Sequence, residues 1–157
     1  MAKIVAELHV SYSQLCIFCS SLDQPFNDWS ERSYAQGFAW REGSCSFRSL
    51  VDECHHDVTV FIDEHVPELD PRVERAFKVP FDTADGLIEI ASVSDSMPLE
   101  INKGRYSLQV EFLSARKGER PRAYIRLNRG EAGFAILKAD DGIQASGELD
   151  IDAAPAT

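Results

Sequence analysis

A chain of 157 residues with 26 Asp and Glu against 16 Lys and Arg, a formal net charge of −10, can bury one core without metal or disulfide staples. Its field repels phosphates, which argues against nucleic acid as a direct ligand and for a basic protein partner. No apolar run is long enough to cross a bilayer, and Met1 to Glu7 lacks the apolar centre of a secretory signal, so no membrane is expected and the default compartment is cytoplasmic.

Glu7 to Phe18 opens with Leu8, Val10 and Tyr12 on one parity and His9, Ser11 and Ser13 on the other. The nearly all-apolar run Leu15 to Cys19 follows, and it reads as a second strand buried on both faces. One short helix is expected after Pro25, with Asp28 as N-cap, Glu31 completing a capping box, and Gly37 near its C-terminal end. Trp29, Tyr34 and Phe38 are its candidate apolar contacts. A turn at Gly43 leads into the strand around Cys45 to Phe47, and β-branched Val58 to Ile62 predicts a central strand. Asp63 to Pro71, with two prolines and four acids, is the longest loop. Ala76 to Val79 resumes strand signal, with Pro80 demanding an edge position or a bulge.

From Val79 to Leu113 the pattern is strands and tight turns. Asp85-Gly86, between Val79-Pro80-Phe81 and Leu87-Ile88-Glu89-Ile90, is a hairpin signal. A second turn falls at Asn102-Lys103-Gly104. Tyr106, Leu108, Val110 and Phe112 then alternate with Arg105, Ser107, Gln109 and Glu111, which predicts a strand with one buried and one wet face. Arg116 to Pro121 reads as a polar hairpin tip, and Ala123 to Leu127 and Phe134 to Leu137 as the last strands. Eight or more short strands and one short helix predict an all-β fold, an antiparallel β-sandwich. The expected organisation is a single domain over 1–142 and a loose acidic tail over 143–157.

Motifs for chemistry are few. Cys16 and Cys19, three apart in a strand, point to opposite faces and cannot share one ion, so they read as packed, reduced thiols. Cys54-His55-His56-Asp57 with His65 contains zinc-type ligands, but adjacent histidines seldom face one point and no finger or H-E-x-x-H spacing occurs. No nucleophile elbow and no phosphate-binding glycine loop is present. Catalytic residues, metal and cofactor are therefore all expected to be none, and the protein is not read as an enzyme.

Charge is the stronger signal. Val51 to Asp70 holds seven acids (Asp52, Glu53, Asp57, Asp63, Glu64, Glu68 and Asp70) and no Lys or Arg, whereas Arg105 to Arg129 holds seven Arg or Lys against two Glu. Part of this reads as pairing between acidic and basic strands. The remainder offers Asp63, Glu64, Glu68 and Asp70 for electrostatic recognition, Asp52, Glu53 and Asp57 as flanking support, and Trp29 as an apolar anchor.

The order of several short segments resembles the ComJ (Nin) family, inhibitors of a DNA-entry nuclease. These segments are Val10 to Leu15, Asp28 to Glu31, Gly37 to Ala39, Gly43 to Phe47, Val79 to Phe81, Asp85 to Ser92 and Lys103 to Leu108. The resemblance implies an inhibitor or immunity protein that binds a cognate DNA nuclease toxin and neutralises it, its acidic surface standing in for the phosphates of DNA. The alternatives are an immunity protein for a non-nuclease toxin, or a metal-binding sandwich using Cys54, His55, His56 and His65. The Asp63 to Pro71 loop and the basic segment from Arg116 look longer than in the shorter family members, which leaves the identity of the nuclease open.

Overall fold

The computed structural model describes residues 2–157. Eleven strands and one helix follow one another as β1 (Ala2–Val10), β2 (Gln14–Cys19), α1 (Glu31–Gln36), β3 (Phe38–Arg41), β4 (Ser44–Arg48), β5 (Cys54–Ile62), β6 (Val73–Thr83), β7 (Leu87–Ala91), β8 (Ser96–Glu100), β9 (Gly104–Leu113), β10 (Arg122–Arg129) and β11 (Ala135–Lys138). They form a six-stranded sheet in the order β1-β5-β10-β9-β6-β11 and a five-stranded sheet in the order β3-β4-β2-β7-β8. The expected all-β sandwich with one short helix is what forms. Neighbours are antiparallel except β5 and β10, which run parallel with Arg122 beside Asp57. Among the described residues no helix is long and apolar enough to cross a membrane.

The core lies between the sheets and follows the period-two pattern. Leu8 and Val10, Val58 and Val60, Phe77, Val79 and Phe81, the four alternating residues of β9, and Ala123, Ile125 and Leu127 face Leu15, Ile17, Phe47, Ile88 and Ile90 of the other sheet. The run on β2 is buried on both faces as expected, because Cys19 belongs to this core while Cys16 and Phe18 pack outward against Leu22 and Phe26. Val58 to Ile62 is central, between β1 and β10. Pro80 falls beyond the end of β11, which pairs only with Ala76 to Lys78, so its missing N–H is not needed on that side.

Several local expectations change once the sheets assemble. Asp85-Gly86 joins β6 to β7, which belong to different sheets, so it is a corner and not a hairpin. The corner still requires glycine. Gly86 has φ +78°, and a Cβ there would sit 1.9 Å from the Ile101 carbonyl oxygen, while its own carbonyl accepts from the Ile101 N–H at 2.8 Å. The turn at Asn102-Lys103 likewise crosses between sheets. Tyr12 is not on the buried parity of β1: it takes φ 55° in the turn to β2 and stands exposed.

The helix starts two residues later than expected. Asn27 bridges Pro155 and the Asp28 N–H donates to Ala154 O, which keeps the chain extended through Asp28. Ser30 is the N-cap, accepting from the Ser33 N–H while Ser33 Oγ accepts from the Ser30 N–H. Gly37 closes the helix with φ +95°. The segment after Ile143, expected to be loose, runs against α1 and β3: Gln144 N–H donates to Ala35 O, Ala153 N–H to Trp40 O, and the Arg32 guanidinium to the carbonyls of Gln144, Ser146 and Glu148. Ile143 is part of the core, closing over Gly37 and Phe77.

Candidate partner-binding surface

The acidic segment between β5 and β6 is a strap. Asp57 on β5 aligns with Arg122 on β10, Arg122 with Leu113 on β9, and Leu113 with Val73 at the start of β6. The chain leaves β5 at the opposite end of this sheet, so residues 63–72 must cross its outer face to reach Val73. Asp63 fixes the beginning of the strap in a left-handed conformation, φ 52°, where its carboxylate accepts from the Arg129 N–H at 2.9 Å and lies 3.8 Å from the Arg129 guanidinium. The Glu64 carbonyl accepts from Asn128 Nδ2. Leu69 packs with Val73, Ala76, Leu113 and Tyr124, and Asp70 accepts from the Arg72 N–H at 2.8 Å. Glu64 and Glu68 thereby present carboxylates that pair with no cation among the described residues.

The strap explains why the outer parity of β9, wet at Arg105, is dry at Gln109 and Glu111. Glu111 and Arg126, 1% and 6% exposed, form a buried ion pair at 2.6 Å, and Gln109 Nε2 donates to the same carboxylate oxygen at 2.8 Å. The Arg126 guanidinium also stacks over Phe61 at 4.4 Å. Phe61 and Arg126, with Lys3, Glu64, His65 and Pro67, line a shallow depression of about 340 Å³ beside the strap. Part of the basic run on β10 is therefore spent inside the molecule.

The other sequence-derived acids sit elsewhere. Asp52 and Glu53 precede β5 and Asp63 follows it, so nine strand residues, roughly 30 Å at 3.3 Å each, separate the two groups. Asp52 accepts from Ser13 Oγ, Glu53 meets His9 Nε2 at 2.9 Å, and Asp57 lies 3.6 Å from an Arg120 nitrogen that also bonds Glu7. Cys54, His55 and His56 alternate along β5: His55 is exposed and stacks edge-on against His9, while His56 is buried with Nδ1 on Cys54 O. His65 lies on the strap past the far end of that strand. Among the described residues no three His, Cys, Asp or Glu side chains gather where they could hold one metal ion. All four cysteines are free thiols; Cys16, Cys19 and Cys45 are buried, and burial pushes the Cys16 thiol up to about 11.

Trp29 stands apart from the strap, where α1, β3 and the C-terminal segment meet. It is half-buried and packs edge-on to Tyr34, which is 55% exposed. A cleft of about 460 Å³ joins Trp29 to Asp28, Asp150 and Asp152, none of which pairs with a cation among the described residues. Asp150 accepts from Ser30 Oγ at 2.6 Å and from the Asp152 N–H at 3.1 Å, which holds the two acids beside the helix cap. Trp29 was a candidate from the sequence; its acidic neighbours Asp150 and Asp152 were not. Asp28 was visible as an adjacent residue, but Asp150 and Asp152 are more than a hundred residues away and reach the site only through long-range pairing.

Known proteins share this architecture. A protein of Bacillus subtilis (strain 168) described as a DNA-entry nuclease inhibitor is 29% identical over 105 residues, 65% of this chain and 76% of the relative. The crystal structure of ComJ from Bacillus subtilis, described as an inhibitor of the DNA-degrading activity of NucA, superposes with a TM-score of 0.67. It is 21% identical, and the match covers 81% of this chain and 96% of that one. A structure described as crocagin biosynthetic gene J superposes with a TM-score of 0.58 at 17% identity, over 83% of this chain and 100% of that one, and shares the fold. Residues 7–129, from β1 through the end of β10, match the family described as Competence protein J (ComJ), and the chain belongs to that family.

Proposed function

We propose that the chain inhibits a DNA-degrading nuclease by binding it, serving as the immunity partner of a nuclease toxin and performing no chemistry of its own. The observation that carries this reading is the family match from β1 through β10, whose Bacillus subtilis relative is described as a nuclease inhibitor. The net charge of −10 supports it, because a nuclease offers DNA a positive groove that a carboxylate surface can occupy.

Within that surface we assign long-range attraction to the strap, with Glu64 and Glu68 as its uncompensated charges and Asp63 and Asp70 holding its ends. Asp52 and Glu53 flank it ahead of β5, and Asp57 from within that strand. Trp29, among Asp28, Asp150 and Asp152, has the composition of a hot spot: an aromatic anchor with a charged rim. The working compartment is the cytoplasm, where a producing cell would need protection.

The test mixes the purified chain with a DNA-degrading nuclease of the same organism and follows plasmid cleavage with added magnesium or manganese. Cleavage should stop at equimolar chain, and inhibition should weaken as salt screens the encounter. Full cleavage at a several-fold excess of chain, with no complex on a sizing column, would refute the reading. The same refutation combined with inhibition of a toxin of another chemistry would establish the non-nuclease alternative.

A further inference from the structure

β1 is an edge strand whose outward backbone is prepared for pairing. On its inner side it pairs with β5 over nine residues, Ala2 with Ile62 through Val10 with Cys54, without a register shift. The Asp57 N–H donates to Pro121 O and the Asp63 N–H to Leu127 O, so the odd-numbered residues along β5 turn toward β10. Its even-numbered residues then exchange bonds with the even-numbered residues of β1. The odd-numbered residues of β1 consequently turn N–H and C=O away from the sheet. Two contacts agree: the His9 N–H donates to the Asp95 carboxylate at 2.8 Å, and the Ser11 N–H to Ser92 Oγ at 2.9 Å. Past these two, the N–H groups of Lys3, Val5 and Glu7 meet no acceptor among the described residues.

Edges of this kind invite another strand unless proline, a bulge or unbalanced charge blocks them. β1 has no proline and no bulge. Its outward side chains are Lys3, Val5, which is 68% exposed, and Glu7. Read in both directions about Val5, that pattern is self-complementary. An antiparallel second copy centred on Val5 sets Val5 against Val5 and Lys3 against Glu7 twice, with six backbone hydrogen bonds from residues that all point outward. Registers centred on Lys3 or on Glu7 would instead place like charges opposite each other.

We infer that β1 is a self-recognition edge, through which two copies of this chain join their six-stranded sheets about a two-fold axis at Val5. The long-range repulsion between two acidic copies is screened beyond about 8 Å at physiological salt, whereas the Lys3 and Glu7 contacts lie inside that distance. The interface is small, so the dimer belongs to the weak, micromolar class.

Sedimentation equilibrium on the full chain, from about 1 to about 500 μM, brackets that range and should show a monomer–dimer equilibrium. Val5→Pro removes an N–H that β5 does not use, and should leave a folded monomer. Lys3→Glu should raise the dissociation constant by about tenfold or more through two repulsive pairs, and adding Glu7→Lys should restore most of the loss by exchanging the charges. Glu7→Lys also releases Arg120, so the exchange is read on Lys3→Glu and not by itself. A parent chain that stays monomeric throughout, a folded Val5→Pro variant that still dimerises, or a Lys3→Glu variant with unchanged affinity would overturn the inference. Protection of β1 amides that appears only when nuclease is added to a monomeric chain would assign the edge to the nuclease and overturn it too.

Discussion

Glu111→Ala removes the acceptor that neutralises Arg126 beneath the strap. Both side chains are almost sealed, 2% exposed for Glu111 and 7% for Arg126, so the guanidinium left behind keeps its Phe61 and Tyr124 stacking but loses its counter-charge. Gln109 loses its partner in the same step. Removing one member of a buried pair costs about 3–5 kcal/mol because the remaining charge stays desolvated. For a chain of this size, that is a fall in Tm of roughly 6–20 °C. Replacing both members, Glu111→Leu with Arg126→Met, removes two desolvation costs together and should stay within about 2 kcal/mol of the parent or exceed it. Urea unfolding measures each variant, with an unchanged slope required for the comparison. The reasoning fails if Glu111→Ala costs less than about 1 kcal/mol, or if the double variant is as unstable as the single, since the pair would then not be coupled.

The strap itself predicts that Glu64→Lys with Glu68→Lys slows association with the cognate nuclease by about tenfold or more at low salt while leaving the unfolding curve in place; an unchanged association rate would remove the strap from the encounter. Trp29→Ala should act on the dissociation rate instead, with a loss of about 2 kcal/mol in binding if the residue is an anchor, and calorimetry with the nuclease reads it. Gly86→Ala should cost more than about 2 kcal/mol, since it combines a left-handed φ with a Cβ against the Ile101 carbonyl, whereas Gly133→Ala, with open space around it, should stay within about 0.5 kcal/mol. Burial holds the His56 pKa below its ordinary 6.5, so the unfolded chain takes up this proton first as pH falls. Stability from His56 is complete above about 6.5 and declines from there toward its lower folded value. The slope of unfolding free energy between about pH 5 and 7 should flatten in His56→Leu, and an unchanged slope would show that His56 does not carry it.

Much of the fold was legible because alternation of apolar and polar residues is a local property. Leu8 and Val10, Val58 and Val60, and the four apolar residues of β9 all face the core that their spacing predicts. The hairpin tip at Gly118 and the turn at Gly43 were readable for the same reason, since both take the positive φ that glycine adopts at no steric cost. Which sheet a strand joins was not legible. Asp85-Gly86 has the chemistry of a hairpin turn and serves as a corner, because Ile88 and Ile90 find their partners on β2 and β8 and not on β6.

The acids show the same division. Their number, sign and clustering from Val51 to Asp70 are properties of the chain, and the expectation of a basic partner rests on these alone. Their arrangement is a property of the fold. Pairing β5 with β10 and β6 with β9 forces residues 63–72 across a sheet face, which buries Glu111 and Arg126, ties Asp63 to Arg129, and leaves Glu64 and Glu68 without a cation among the described residues. Long-range hydrogen bonds draw the C-terminal segment onto α1 and set Asp150 and Asp152 beside Trp29. Local propensity and periodicity act over a few residues and so determine strands, turns and total charge; which charges meet, and which are left facing solvent, depends on contacts between residues far apart in the chain, and only the assembled sandwich decides them.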